Sequence, residues 1–398
     1  MCAPNALGAV YLAKTMITRG FLGAKGSLLL IATLLVWGLW APAGRGQAAS
    51  KPTAGGSAAL STSGAGANEQ EDPIRGPMLG YLFDSSMLAL RPLRGVPGAS
   101  SMGNPMPLDF TPEWIEISPS NDFALSREAD SGRILIIDLR TPAPATQAPA
   151  ALTAGAERAF FSPLGKATAL YYRETMQVRI VTGLPGDAEQ KASIDLRSVP
   201  GVLTAMAVSD DGGTLVIAAS QGDTGSLFVA GPGEDVRLIG PLGRASSIAF
   251  LSGSQDILVA DAARSEILRI ASVKSSPEWT VLATRRDGLD QPVAVTASRD
   301  NQTAFAVSSA DRKVALLALN GGSVEFMDCP CTPTGLHTLA SGSVFRLTGA
   351  SSSPIYVLDA QPLNNSPQNQ ARILFVPAPQ RSTPAGKDAL SPRVRGRR

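Results

Sequence analysis

Beyond residue 78 the chain alternates short apolar runs with polar turns, and no window carries the period of a long amphipathic helix. A serine-led turn between two apolar runs recurs: Ile117-Ser118-Pro119-Ser120-Asn121, Phe161-Ser162-Pro163-Leu164-Gly165 and Val208-Ser209-Asp210-Asp211-Gly212. Leu251-Ser252-Gly253, Ala297-Ser298-Arg299-Asp300-Asn301 and Ala340-Ser341-Gly342 continue it, with the serines 44, 47, 43, 46 and 43 residues apart. After each turn comes a β-rich run such as Phe123-Ala124-Leu125 or Leu215-Val216-Ile217. A polar turn then leads to a third run, such as Ile134–Ile137 or Val314–Leu317, and a weaker fourth, such as Val324–Met327 or Ile373–Val376. The pattern predicts units of four short antiparallel strands joined by turns rich in Ser, Gly, Asp and Asn.

Four-stranded units at a 40–50 residue period predict an all-β chain folded as a β-propeller. Gly80–Phe83 and Leu88–Leu93 resemble the back half of the unit around Leu227–Leu242, so the N-terminal end is expected to supply the third and fourth strands of a blade whose front half is missing. That gives seven four-stranded blades over residues 78–378 with a seam blade shared by the two ends; six full repeats plus a hairpin is the alternative. Composition agrees. With 39 Gly and 30 Pro in 398 residues the chain is turn-rich, and 44% hydrophobic residues provide a core.

Ile257-Leu258-Val259-Ala260-Asp261 with Ala262-Ala263-Arg264-Ser265-Glu266-Ile267 resembles an NHL-type or YncE-like propeller repeat. Val208–Leu215 resembles the serine–aspartate–glycine turn common in bacterial YncE-like and WD40-like propellers, while the Trp-Asp and Gly-His pairs of true WD40 repeats are absent. Bacterial proteins of this kind include lactonases, sugar or peptide binders and assembly scaffolds, so the resemblance specifies fold and leaves function open.

The flanks carry a different signal. Ser27–Trp40 is an apolar run preceded by Arg19 and Lys25 and followed by small residues, the order of a secretory signal. Residues 1–48 are therefore read as a signal peptide, with Met16 as an alternative start and a permanent membrane anchor as the alternative fate. Cys2 precedes the apolar run and does not suit a lipoprotein cysteine. Residues 49–77 read as a flexible linker and 379–398 as a disordered basic tail. The net charge of +2 divides accordingly: residues 50–380 hold 25 basic and 32 acidic residues, the surplus of positive charge lying at the two ends. An acidic folded part repels phosphate backbones, so no nucleic-acid partner is expected. The expected place of work is the periplasm or the exterior, with membrane contact only in transit.

Candidate chemistry is sparse. His337 is the sole histidine, which excludes multi-His metal sites. It falls in the first strand of the last repeat, as a structural residue or, alternatively, as a channel-facing acid or base. The second-to-third-strand turns carry Arg127, Asp130, Glu174, Asp223, Asp261, Arg264, Asp311 and Arg312, a candidate ligand or partner surface that turn chemistry alone also explains. Cys329-Pro330-Cys331 leaves a local disulfide, free thiols or pairing with another chain; the disulfide is the preferred reading in an oxidising compartment. No catalytic constellation, metal site or resident cofactor emerges. The leading expectation is an exported, non-catalytic propeller that binds a protein or cell-envelope component through one face. The alternative is a lactonase-type hydrolase using carboxylates and a divalent cation.

Overall fold

The computed structural model describes residues 76–377 except 142, 323, 340, 341, 351–353 and 362–370. The expected signal, nearly all of the linker, and the basic tail lie outside the described residues. Twenty-seven strands form seven antiparallel sheets in chain order. Blade 1 comprises β1 (Met78–Asp84), β2 (Ala89–Val96) and β3 (Ala99–Met102). Blade 2 comprises β4 (Pro112–Ile117), β5 (Phe123–Glu128), β6 (Ile134–Asp138) and β7 (Ala145–Gln147). Blade 3 holds β8 (Arg158–Phe161), β9 (Ala167–Tyr172), β10 (Gln177–Thr182) and β11 (Glu189–Asp195). Blade 4 holds β12 (Val202–Val208), β13 (Leu215–Gln221), β14 (Thr224–Ala230) and β15 (Arg237–Leu242). In blade 5 the order is β16 (Ala245–Phe250), β17 (Ile257–Asp261), β18 (Glu266–Ala271) and β19 (Glu278–Thr284). Blade 6 follows with β20 (Pro292–Ala297), β21 (Thr303–Ser308), β22 (Lys313–Ala318) and β23 (Val324–Asp328). Blade 7 ends the ring with β24 (His337–Thr338), β25 (Val344–Arg346), β26 (Ile355–Asp359) and β27 (Arg372–Val376).

Seven apolar clusters hold the sheets together, one between each adjacent pair. The ring closes where Leu79, Leu82, Leu93 and Met102 of blade 1 pack with Val344, Ile355, Val357 and Val376 of blade 7. This explains the near-continuous apolar runs of the second and third strands. A sheet covered on both faces buries successive residues, and all six residues of β9 are buried. Outer strands such as β11 keep mostly exposed residues.

The seam differs from the expectation. Among the described residues no strand of blade 7 pairs with blade 1, so the described ends do not share a sheet. Blade 1 contributes three strands instead of two, and β1 is its innermost described strand, packed against β4. Side chains from either side approach it at Gly80: a Cβ there would meet Asn121 Oδ1 and Leu339 Cδ2 at 2.9 Å each. Across this gap, Asn121 Nδ2 of blade 2 donates to Thr338 O of blade 7 (3.4 Å).

The recurrent turn closes by a pair of backbone bonds. Ser118, Ser162, Ser209 and Ser298 each donate their N–H to the carbonyl five residues on and accept from the N–H three residues on. The serine hydroxyl also accepts from the N–H five residues on, at 2.9 Å in the turn of Ser209 and Thr214. In two repeats the frame shifts. Leu251, not Ser252, bonds Asp256, and Leu339 bonds Val344; Ser341 lies outside the described residues. A backbone-closed turn needs no particular side chain at its first position, so leucine serves there.

These turns also clasp neighbouring blades. Asp210 of blade 4 accepts from Leu164 N of blade 3 (2.7 Å) through Oδ1 and from Gly253 N of blade 5 (2.9 Å) through Oδ2. Asn301 of blade 6 exchanges two bonds of 2.9 Å with the backbone of Ser252. Asp210→Ala leaves two amides without acceptors, at about 1 kcal/mol each. A lower urea midpoint with an unchanged slope is the expected outcome, corresponding to about 2 kcal/mol in total.

Candidate functional site

The predicted turn residues do not converge. Asp261, expected on the surface, is fully buried. Its Oδ2 accepts from Gly243 N (2.6 Å) and its Oδ1 from Arg264 N (3.1 Å), so the carboxylate braces the entry to blade 5. Glycine is required at 243, because a Cβ would stand 2.4 Å from Asp261 Oδ1. Asp311 similarly accepts from Asp290 N (2.7 Å). Arg127 pairs with Glu113 (3.1 Å), and Arg264 stands 3.9 Å from Asp261, the one oppositely charged pair that the predicted set brings together. Asp130, Glu174, Asp223 and Arg312 are exposed tips on four different blades. Of the five predicted acids, Asp261 and Asp311 are thus spent on bracing the backbone.

Cys329 and Cys331 are joined as a disulfide and buried between blades 6 and 7, where they pack with Phe305, Phe345 and Leu347. Backbone bonding anchors the segment, since Cys329 N donates to Arg312 O (2.7 Å).

A different group of residues gathers on the inner side of the ring. First strands pack side by side around the axis, β4 on β8, β8 on β12, β12 on β16 and β16 on β20. Glu116 on β4, Arg158 on β8 and His337 on β24 are solvent-accessible positions of inner strands. Arg346 on β25 stands opposite His337 in register and is half-buried. Water reaches these groups, yet protein encloses Glu116, His337 and Arg346 closely enough that desolvation dominates their titration. That combination marks side chains lining a narrow axial channel.

The electrostatics follow from this enclosure. Desolvation pushes the Glu116 carboxyl up to about 7, against the opposing pull first of Arg346 and then of Arg158. His337 is held down to about 3, mainly by desolvation and secondarily by Arg346, and is neutral at physiological pH. Desolvation lowers Arg346 to about 10, partly offset by Glu116, and it stays charged.

Among the described residues, no ion pair links Glu116 to either guanidinium. Nor does a side-chain hydrogen bond to a described residue reach Glu116, Arg158 or His337. Arg346 donates one N–H to Thr348 O (2.6 Å), while its buried Nε has no hydrogen-bond partner. The far side of the inner ring is neutral and self-satisfied: Ser246 donates to Pro292 O (2.6 Å), and Val295 N donates to the Ser247 hydroxyl (3.3 Å). Charge is therefore concentrated on blades 2, 3 and 7. Of this group the sequence reading singled out only His337. A readable signal was Glu116 between two isoleucines, a charge inside a strand with apolar residues on either side.

No protein-family model matches the sequence, and no curated protein matches it. Solved structures do. A Lactobacillus plantarum protein aligns with a TM-score of 0.52 at 10% identity, covering 76% of this chain and 96% of that one. A 6-phosphogluconolactonase-like protein of Bacteroides uniformis aligns with a TM-score of 0.51 at 12% identity, covering 76% and 96%. Its counterpart from Bacteroides fragilis gives 0.51 at 11% identity, covering 76% and 95%. The chain is a seven-bladed β-propeller. At such identities the likeness extends to the fold alone.

Linkage gives the channel groups opposite signatures. Glu116 keeps its proton on folding, so its contribution to stability is complete below the ordinary value of 4.5 and lost as pH rises through about 7. His337 loses its proton on folding, so its contribution is present above 6.5 and lost as pH falls toward 3. In urea titrations, the stability of Glu116→Gln relative to wild type is expected to grow from pH 4.5 to 7 and then level off. That of His337→Gln is expected to grow as pH falls below 6.5.

Proposed function

We propose that this chain is an exported, non-catalytic binding propeller of the YncE-like or NHL-like kind. It recognises a macromolecule or cell-envelope component where the axial channel opens. The observation carrying this reading is the channel group: Glu116, Arg158 and His337 reach solvent on inner strands without a partner among the described residues. Charged groups kept in a desolvated place without pairing cost stability, and such groups concentrate at functional sites. The exposed tips Asp130, Glu174, Asp223 and Arg312 add polar contacts outside the channel. Export follows from the apolar run Ser27–Trp40 and its flanks, and the acidic balance of residues 50–380 disfavours nucleic acid.

Lactone hydrolysis is the second reading, favoured by one observation. A carboxyl near neutrality beside two guanidinium groups suits a general base. A cation-dependent form of that chemistry needs converging ligands, and among the described residues no three His, Cys, Asp or Glu side chains are placed to hold a metal. The likeness to two 6-phosphogluconolactonase-like proteins bears on fold and adds no weight here.

Affinity capture from an envelope fraction by the full chain tests the binding reading. Arg158→Glu is expected to reduce recovery of the captured component at least about tenfold, the equivalent of ~1.4 kcal/mol. A combined Asp130→Ala, Glu174→Ala and Asp223→Ala variant is expected to lose less. Capture indifferent to Arg158→Glu would remove the channel from the binding site. Hydrolysis of simple lactones by the wild type, abolished by Glu116→Gln, would replace the binding reading with the catalytic one.

A further inference from the structure

We propose that the channel is a proton-coupled oxyanion site, in which a compact carboxylate or phosphate group sits between Arg158 and Arg346 while Glu116 takes up a proton. The inference deepens the binding reading and rests on it in placing the ligand in the channel.

Three features of the geometry point this way. First, the two guanidinium groups come from opposite sides of the three-stranded blade, Arg158 from blade 3 and Arg346 from blade 7. Both act electrostatically on Glu116, and neither forms an ion pair with it. The carboxylate is thus within electrostatic range of two cations with which it forms no ion pair. Second, Arg346 is fixed at one end by Thr348 O (2.6 Å), and its buried Nε lacks a hydrogen-bond partner. A guanidinium so held presents further donors in the fork geometry that suits oxyanions. Third, His337 beside it is neutral and adds no competing charge; its ring lies over Gly335, where a Cβ would meet Nε2 at 2.8 Å.

Charge balance identifies Glu116 as the element that changes. When ionised, it competes with an incoming anion for the same two cations; when protonated, it leaves both free and can donate a hydrogen bond. Other charged groups on the elements around β4 are already committed. On β5, Arg127 pairs with Glu113 (3.1 Å) and Glu128 with Arg133 (2.8 Å). On β1, Asp84 pairs with Arg91 (3.1 Å). That leaves Arg158 on β8 and Arg346 on β25 as the charged groups that act on Glu116, with the neutral His337 on β24 paired in register with Arg346. Proton uptake on binding is therefore assigned to Glu116 alone.

Titration calorimetry of the full chain with sulfate, which does not titrate near neutrality, and with succinate tests the proposal and separates the phosphate-like from the carboxylate source. At least one anion is expected to bind at pH 6 about tenfold more tightly than at pH 8, the factor that protonation with a midpoint of about 7 produces. Heats measured in buffers of different ionisation enthalpy are expected to show net proton uptake at pH 8. Glu116→Gln should bind at both pH values as the wild type does at pH 6. Arg158→Gln should weaken binding at least about tenfold, the equivalent of ~1.4 kcal/mol, with an unchanged thermal melt serving as the folding control. If Arg346→Gln does not fold, Arg158→Gln alone decides. Absence of binding by both anions at pH 6, or a pH slope that survives Glu116→Gln, overturns the proposal. The two readings fail separately. Anion binding with this pH signature, combined with envelope capture indifferent to Arg158→Glu, removes only the macromolecular reading. Capture sensitive to Arg158→Glu without anion binding removes only the oxyanion site.

Discussion

A blade of four short strands is apolar on both faces and has no interior of its own. Everything else in this molecule depends on that. Leu125, Leu170, Ile217 and Val259 are fully buried only because a neighbouring blade lies against them, and each such side chain is worth about 1.5–3 kcal/mol when removed from water. Seven clusters at seven inter-blade contacts close the ring so that no blade keeps a bare face. The Asp210 and Asn301 clasps then orient neighbouring turns that apolar packing has already brought together.

The channel inherits its character from this arrangement. Inner strands face the axis, where Glu116 and His337 lose solvation without becoming inaccessible. On blades 5 and 6 the inner strands use serine hydroxyls to join neighbouring backbones. On blades 2, 3 and 7 they carry a carboxyl, a guanidinium and an imidazole, joined by the Arg346 guanidinium of β25, that protein atoms leave largely unanswered. The asymmetry follows the interruption of the inner ring at blade 1, where Asn121 and Thr338 approach one another across the three-stranded sheet.

Much of the fold was legible in the chain because turn chemistry repeats locally. Ser209, Asp211 and Gly212 encode their turn within four residues: a hydroxyl that accepts from a backbone N–H, a carboxylate that accepts the hydroxyl's hydrogen bond, and a glycine at φ +63°. The same locality misled the reading where the backbone alone closes the turn, so that Ser252 stood in for Leu251. The seam was harder, because adjacency of blades 1 and 7 is set by packing between segments almost a whole chain apart. The candidate site was least legible for the same reason. Glu116, Arg158 and Arg346 share no motif and no spacing; only ring closure brings them around one axis. Asp261 shows the converse, a motif-like acid whose oxygens are taken by two backbone amides.

Among the described residues the joint between blades 7 and 1, like the other six, is made by side-chain packing, but it alone joins blades that are not consecutive along the chain. Apolar contact resists separation but tolerates sliding, so without a direct chain connection between its two blades this joint offers the least resistance to shear. Arg346 stands on one side of it and Arg158 on the other, two blades further on. Any molecule gripped by both cations spans the joint from within, as a rivet spans a lap seam. Occupancy would then be felt far from the axis, as slower opening of the whole ring.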